Sequence, residues 1–319
     1  MSDDDASEVG CCCASCGIAE VDDIKLKDCD DCDLVRYCSD ECRNNHSSEH
    51  EEDCKKRAAE LRDELLFKQP EGSHLGDCPI CCLPLSLHPS KSTTTTCCSK
   101  TICNGCRVAN QIREVKARLE NTCPFCREPA PSTLEGGHKQ RMKRVEANDP
   151  VAICDEGLAH YNEGEYIRAF EYFTKAAELG DAEAHLRLAR MYRFGEGVED
   201  DEGKENYHLE EAAIGGHGDA RYLLACMEFH KGNVDRGKNH WMIAATQGHT
   251  MSFRELVSLF KEGKVSEDDL TAARLAGKAA LLATKSQERD AAEAFISVQE
   301  MEGPVDKEKF AAALEFYRD

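Results

Sequence analysis

Eighteen of the chain's 20 cysteines fall between Cys11 and Cys126, and only Cys154 and Cys226 follow them in a sequence of 319 residues. That distribution constrains the fold before anything else does, because clustered thiols must either pair as disulfides or share metal ions. The opening stretch MSDDDASEVG is acidic and has no apolar h-region, so no secretory signal is read there and residues 1–10 are expected to be disordered. No run approaches the roughly 18 apolar residues of a membrane-spanning helix. The expectation is a cytoplasmic and/or nuclear protein, in a compartment that keeps thiols reduced and makes metal ligation the better account of the cysteines. The length suggests two or three domains, with a cysteine-rich front and a helical rear.

The first cysteine cluster occupies residues 11–54. Its candidate ligands come as Cys13 and Cys16, Cys29 and Cys32, Cys38 and Cys42, then His50 and Cys54. Two or three residues within each pair let both side chains reach one ion, and two pairs complete a tetrahedron. Eight ligands therefore make two zinc sites. A segment this short cannot bury a self-sufficient core, so metal binding must supply much of its folding energy. Cys11 and Cys12 are read as spare thiols, with Cys12 standing in for Cys13 if the loop shifts by one residue.

The runs CASC, CDDC, YCSDEC and HEEDC make this segment resemble a MYND finger. The resemblance implies an interleaved arrangement, Cys13, Cys16, Cys38 and Cys42 on one ion and Cys29, Cys32, His50 and Cys54 on the other. MYND fingers commonly dock short proline-containing peptides. The family's Gln after the sixth ligand and Trp three residues before the ligand His are here Arg43 and Ser47. The metal frame matches and the peptide-reading surface does not, so protein interaction is expected without a particular peptide motif.

A helical linker is expected over 55–76, from KKRAAELRDELLF into a break between Pro70 and Gly76. A second cluster occupies 77–128. Three CxxC pairs are evident in it: Cys78 and Cys81, Cys103 and Cys106, and Cys123 and Cys126, with Cys97 and Cys98 supplying a fourth pair. Between Cys106 and Cys123, Val108, Ile112, Val115 and Leu119 recur at helical spacing.

This order, pair, long loop, two pairs, helix and CPFC, resembles a RING finger. The family's cross-brace implies one zinc on Cys78, Cys81, Cys103 and Cys106, and another on Cys97, Cys98, Cys123 and Cys126. The usual RING histidine position is Lys100, which cannot ligate zinc; the all-cysteine variant fits Cys98, with Cys97 adjacent as the third ligand and Cys82 as a substitute. About four structural zinc ions are thus expected in the chain, each in a closed set of four donors with no position for an activated water. RING domains hold a ubiquitin-charged E2 enzyme. Carried over by position, Ile80 and Pro124 match apolar E2-contact residues, and Arg127 matches the basic residue that braces E2 against ubiquitin. Asn110 stands where an apolar residue, often Trp, is usual. The competing account has Ile80 and Pro124 packing the finger and Arg127 solvated.

A linker is placed at 129–149 and a helical-repeat region at 150–319. KAAELGDAEA (175–184), EAAIGGHGDA (211–220) and IAATQGHTMS (243–252) align at offsets of 36 and 32 residues. Each unit reads as two antiparallel helices, with Gly180, Gly216 and Gly248 at helix-ending positions and stacking neighbours covering faces that no unit buries alone. With RFGEGVEDDEGKENYHLEEAA carrying a G-x-G-V-x-x-D stretch, the region resembles Sel1-like repeats, relatives of tetratricopeptide repeats. From Phe253 onward the glycine signature fades, which suggests degenerate or capping units. His185, His208, His217, His230, His240 and His249 read as surface or loop residues, and Cys154 and Cys226 as small buried hydrophobes.

The fold expected is multi-domain: two zinc-stabilised cross-brace fingers, then an α-solenoid. A net charge of −21 disfavours direct nucleic-acid binding, and HKQRMKR at 138–144 reads as a solvated helix face, with a nuclear-import signal as the alternative. No residue is assigned a catalytic role, and neither a phosphate-binding GxxxxGK[ST] loop nor an NHSC core of the SET type occurs. The first functional expectation is an E3 ubiquitin ligase that recruits E2 through the second finger and substrate through the repeats. The alternative is a non-catalytic adaptor for protein partners.

Overall fold

The computed structural model describes residues 12–21 and 23–302, with side chains described as far as residue 297. The expected acidic N-terminus, Cys11 and the last residues of the repeat region, 303–319, lie outside the described residues. The chain forms two compact units, Met1–Lys68 and Gln69–Asp319.

The first unit is a small finger and one long helix. Strands β1 (Lys27–Asp28) and β2 (Arg36–Tyr37) pair antiparallel, Lys27 opposite Tyr37. Its small apolar cluster is built from Cys13, Leu26 and Tyr37, flanked by Val35 and further cysteines. Helix α1 runs Asp40–Phe67, so the helix expected over 55–67 is the second half of an element that begins inside the finger. Ser39 caps it, its Oγ accepting from the Cys42 N–H at 3.2 Å, and Asp40 and Glu41 favour the positive end of the helix.

The second unit opens with the second finger. Strands β3 (Ser92–Thr94) and β4 (Thr101–Cys103) form an antiparallel hairpin that leads directly into α2 (Asn104–Lys116). Val108 is buried and Ile112 packs beside it, but α2 ends at Lys116, so Leu119 lies beyond the helix and is exposed.

Beyond the finger, helices α3 (Leu134–Glu146), α4 (Pro150–Asn162), α5 (Tyr166–Glu178), α6 (Ala182–Phe194), α7 (Glu202–Ile214), α8 (Gly218–His230), α9 (Val234–Thr246), α10 (Thr250–Lys261), α11 (Glu267–Ala283) and α12 (Gln287–Glu302) follow in order. The segment read as a linker is mostly α3, whose Met142 and Val145 join the first repeat core. α4–α5, α6–α7 and α8–α9 are the tightly packed pairs, and each pair stacks on the next. This is the helical-repeat solenoid expected from the period. Its layers are closed by small residues: Ala169, Ala176, Ala184, Ala212, Ala220 and Ala244 are fully buried, which lets helices approach closely around Phe173, Met191 and Leu209. Gly180, Gly216 and Gly248 end α5, α7 and α9 at φ of +86°, +83° and +87°, a backbone region that glycine enters without steric cost.

α12 leaves the stack and lies on α2 of the second finger, with Ala292, Phe295 and Ile296 against Val108 and Ile112. The apolar stripe of α2 is therefore buried by α12.

Candidate metal centres

Four groups of donor atoms converge, the donors of each lying within 4.8 Å of one another: Cys13, Cys16, Cys38, Cys42; Cys29, Cys32, His50, Cys54; Cys78, Cys81, Cys103, Cys106; and Cys97, Cys98, Cys123, Cys126. The grouping is interleaved in both fingers. A zinc ion with Zn–S bonds of about 2.3 Å at the centre of a tetrahedron sets its sulfurs about 3.8 Å apart. The sulfurs of Cys16 and Cys38 are 3.6 Å apart, those of Cys29 and Cys54 3.7 Å, Cys81 and Cys103 3.8 Å, Cys98 and Cys123 3.9 Å, and Cys97 and Cys126 3.4 Å. His50 presents Nε2 at 3.1 Å from Cys32 Sγ. Sulfur-rich tetrahedral sets of this size suit structural zinc. Neither Cys12 nor Cys82 belongs to these four groups.

The local backbone explains why the pairs converge. Cys13 O accepts from Gly17 N at 2.8 Å, Cys78 O from Cys82 N at 2.8 Å, and Cys123 O from Arg127 N at 3.0 Å. In each turn the residue after the second cysteine takes a positive φ, +74° at Gly17, +55° at Cys82 and +66° at Arg127, so both thiols point to the inside of the turn. Helices supply three further pairs: Cys38 and Cys42 straddle the start of α1, His50 and Cys54 lie within it, and Cys103 caps α2, its sulfur accepting from Cys106 N at 3.5 Å. Cys29 and Cys32, and Cys97 and Cys98, come from bends and turns.

Electrostatics points to a cation. Hydrogen bonding from Cys16 and Cys42 pushes the Cys38 thiol up to about 12. Burial, with Cys29 and Cys32 beside it, pushes Cys54 up to about 12 as well. Thiols this close resist joint ionisation unless a positive charge lies among them. Cys106 is driven up too, by burial and then by Cys103.

The residues carried over as E2 contacts are placed as follows. Ile80 is 40% exposed in the first turn of the second finger, and Pro124 is half-buried in the last. Phe125, which the sequence reading passed over, is 44% exposed beside Pro124. Asn110 and Arg127 come together: Arg127 Nη1 donates to Asn110 Oδ1 at 2.7 Å. Asn110 is 8% exposed and its amide donates to Glu114 Oε1 and to Thr122 O, while Glu114, 1% exposed, accepts from Thr122 N and Oγ1. A buried polar network thus occupies the place of the usual apolar helix residue and anchors Arg127.

Arg289 was invisible in the sequence. It lies on α12 at 6% exposure, and its guanidinium donates to Leu83 O (3.0 Å), Pro84 O (2.6 Å) and Cys81 Sγ (3.2 Å) of the first turn. Gly105 at the start of α2 faces it, with space for a Cβ only 3.1 Å from the Arg289 backbone. Two histidines also depart from the surface role expected of them, since His217 and His240 are 2% and 0% exposed.

A family model described as the MYND finger matches residues 13–54. Chitin synthase regulatory factor 4 of Schizosaccharomyces pombe (strain 972 / ATCC 24843) is 29% identical over 99 residues, 31% of this chain and 15% of that protein. The chain thus spans well under a fifth of the length of that curated relative. Among solved structures, a Sel1 repeat protein from Oxalobacter formigenes is 20% identical, covering 54% of this chain and 73% of that one, at a TM-score of 0.41. The protective antigen c5321 of uropathogenic Escherichia coli, displaying an SLR fold, is 23% identical and covers 56% and 38% at 0.37. No helix among the described residues is long and apolar enough to cross a membrane.

Proposed function

We propose that the chain is a zinc-structured adaptor that binds protein partners, with the sixteen cysteine and histidine residues of the four groups as the ligands of four zinc ions. The observation that supports this most is the second finger's attachment. Its helix is covered by α12 and its first turn is held by Arg289, so finger and repeats form one compact body that presents a fixed surface. Four-donor sets rich in thiolate leave no position for a reacting water, so zinc serves the fold rather than chemistry. The repeats supply exposed aromatic anchors of the kind that dominate protein interfaces, including Tyr207 on α7, packed edge-on against His208, and Phe194 at the end of α6.

A second reading, a RING-type E3 ubiquitin ligase, is favoured by one feature: Ile80, Pro124 and Phe125 form exposed or half-exposed apolar positions on the two turns where an E2 would sit. Against it, Arg127 is engaged by Asn110. Autoubiquitination with a panel of E2 enzymes separates the two. Zinc-loaded wild-type protein that forms no chains with any E2 supports the adaptor. Chains formed by wild type, abolished by Cys103→Ser and weakened by Arg127→Ala, overturn it in favour of the ligase.

A further inference from the structure

The repeats carry two histidine–carboxylate bonds of the same kind. His217, which precedes α8, meets Glu183 of α6 with Nε2 to Oε2 at 2.9 Å; His249, which precedes α10, meets Asp219 of α8 in the same way at 2.9 Å. The two rungs then differ. His249 uses its second nitrogen as well, Nδ1 accepting from the Ser252 backbone N–H at 3.3 Å and lying 2.8 Å from the Ser252 hydroxyl. The equivalent residue after His217 is Ala220, and His217 Nδ1 is buried with no hydrogen-bond partner. The His217 ring is covered instead by a second imidazole, that of His74.

His74 belongs to the segment that enters the second finger. Its ring lies within 10° of parallel to that of His217, with centroids 3.8 Å apart, and its Nδ1 is also buried without a partner. The backbone holds it there: His74 N donates to Gly216 O at 3.2 Å, and Gln247 Nε2 donates to Gly72 O at 2.8 Å. Gly216 has no room for a side chain at this contact, since a Cβ would lie 2.8 Å from Gly72 O. Such a stack favours a neutral His74 ring. An imidazolium carries N–H groups on both nitrogens, and its Nδ1–H would be buried with no acceptor, face to face with another imidazole. The nearest carboxylates are already engaged. Glu183 Oε2 is taken by His217 and Oε1 by Arg187 at 2.6 Å, and Asp219 is bonded to His249. Burial, and then His217, outweigh the pull of Glu183 and Asp219 and hold the His74 imidazole down to about 4.

We propose that the His74–His217 stack is an acid-released latch: neutral His74 pins the entry segment of the second finger to the repeats, and a proton on His74 lets that segment go. The latch is also a partition. His74 lines a cavity of about 420 Å³ bordered by His88, Lys91, Asp219 and His249, and another of about 530 Å³ bordered by Asp77, Lys100, Asp155, Asp181 and Glu183. Withdrawal of the ring joins them into one cleft between the second finger and the repeats. Carboxylates among these neighbours favour a proton on His74, and the ammonium groups of Lys91 and Lys100 oppose it. The latched form binds the proton weakly, while the released form binds it as an ordinary imidazole does, at about 6.5. Between that value and about 4 the released form therefore holds one proton more than the latched form. Release becomes about tenfold more frequent for each pH unit lost in that window, and above it the frequency does not change with pH.

Hydrogen–deuterium exchange of the full, zinc-loaded chain between about pH 5 and pH 7.5 tests the latch. The His74 amide reports it, because that N–H donates to Gly216 O. The Cys82 amide, which donates to Cys78 O in the first turn of the second finger, reports whether the finger keeps its metal. After correction for the intrinsic exchange rate, opening at His74 should rise about tenfold per pH unit below about 6.5, while opening at Cys82 stays constant. His74→Phe keeps a flat ring for the stack and cannot take a proton, so the amide of residue 74 should lose its pH dependence in that variant. Opening at His74 that is flat across the range, that rises only in step with Cys82, or that rises equally in His74→Phe would overturn the proposal.

Discussion

Replacing Arg289 with alanine tests whether the end of the repeats governs the second finger. The side chain is 6% exposed and bonds Leu83 O and Pro84 O at 3.0 and 2.6 Å, across more than 200 residues of sequence. Two hydrogen bonds from a charged donor at about 1.5 kcal/mol each make the junction between α12 and the finger weaker by about 3 kcal/mol. The third bond, to Cys81 Sγ at 3.2 Å, acts on the metal centre itself. An N–H directed at a coordinating thiolate withdraws charge and fixes its orientation, and removal of such a partner lowers metal affinity roughly 10–100-fold. Arg289→Ala should therefore release one finger ion to a competing chelator with an affinity lower by that factor, while the ions of residues 13–54 respond as in wild type and serve as the internal reference. Arg289→Lys should fall between, because one ammonium cannot bridge the same acceptors in a fixed fork. Zinc competition curves of Arg289→Ala that superimpose on wild type at every site would show that α12 has no hold on the metal centre.

Chelation of wild-type protein should disorder both fingers and free α12 from α2, yet leave the emission of Trp241 nearly unchanged, because the only tryptophan is packed on Phe229 inside the α8–α10 core; a large shift in that emission would show that the repeats depend on metal. Gly277→Ala should lower the unfolding midpoint followed by Trp241, since a Cβ there would lie 2.5 Å from Ala245 O where α11 crosses α9, an overpacking worth about 2 kcal/mol. The acidity of Asp155 gives a pH prediction. Burial, against the pull of Arg141, raises its carboxyl from 3.8 to about 6. The folded state then holds a proton that the unfolded state has lost, so stability falls as pH rises from about 4 to 6. Asp155→Asn should accordingly be more stable than wild type above pH 6, by on the order of 2 kcal/mol, and the difference should vanish below pH 4 in denaturant titrations.

Much of the metal frame was legible because a zinc ligand pair is a local object. Two thiols separated by two residues reach one ion through a single tight turn, and the turns at Gly17, Cys82 and Arg127 are built from the pair itself. Legible for a similar reason were the repeats: Gly180, Gly216 and Gly248 mark the same backbone turn each time. Reading failed where a residue's environment comes from elsewhere. Asn110 looked like a lost apolar contact, yet it is buried by a network that includes Glu114 and Arg127. His217 looked like a loop residue because its sequence neighbours are glycines, while the adjacent repeat and the His74 segment bury it.

Ligand spacing and helix period are properties of chain segments a few turns long, and they are enough to specify two cysteine-built fingers and a helical repeat. Long-range packing is what brings α12 back over α2, Arg289 to Cys81, and His74 onto His217 beside Glu183. Those contacts join residues far apart along the chain, and whether they form depends on how many repeats stack and how each layer is rotated on the last. Shape and stacking of that kind are set by the packing of the whole unit, which no local pattern of residues records.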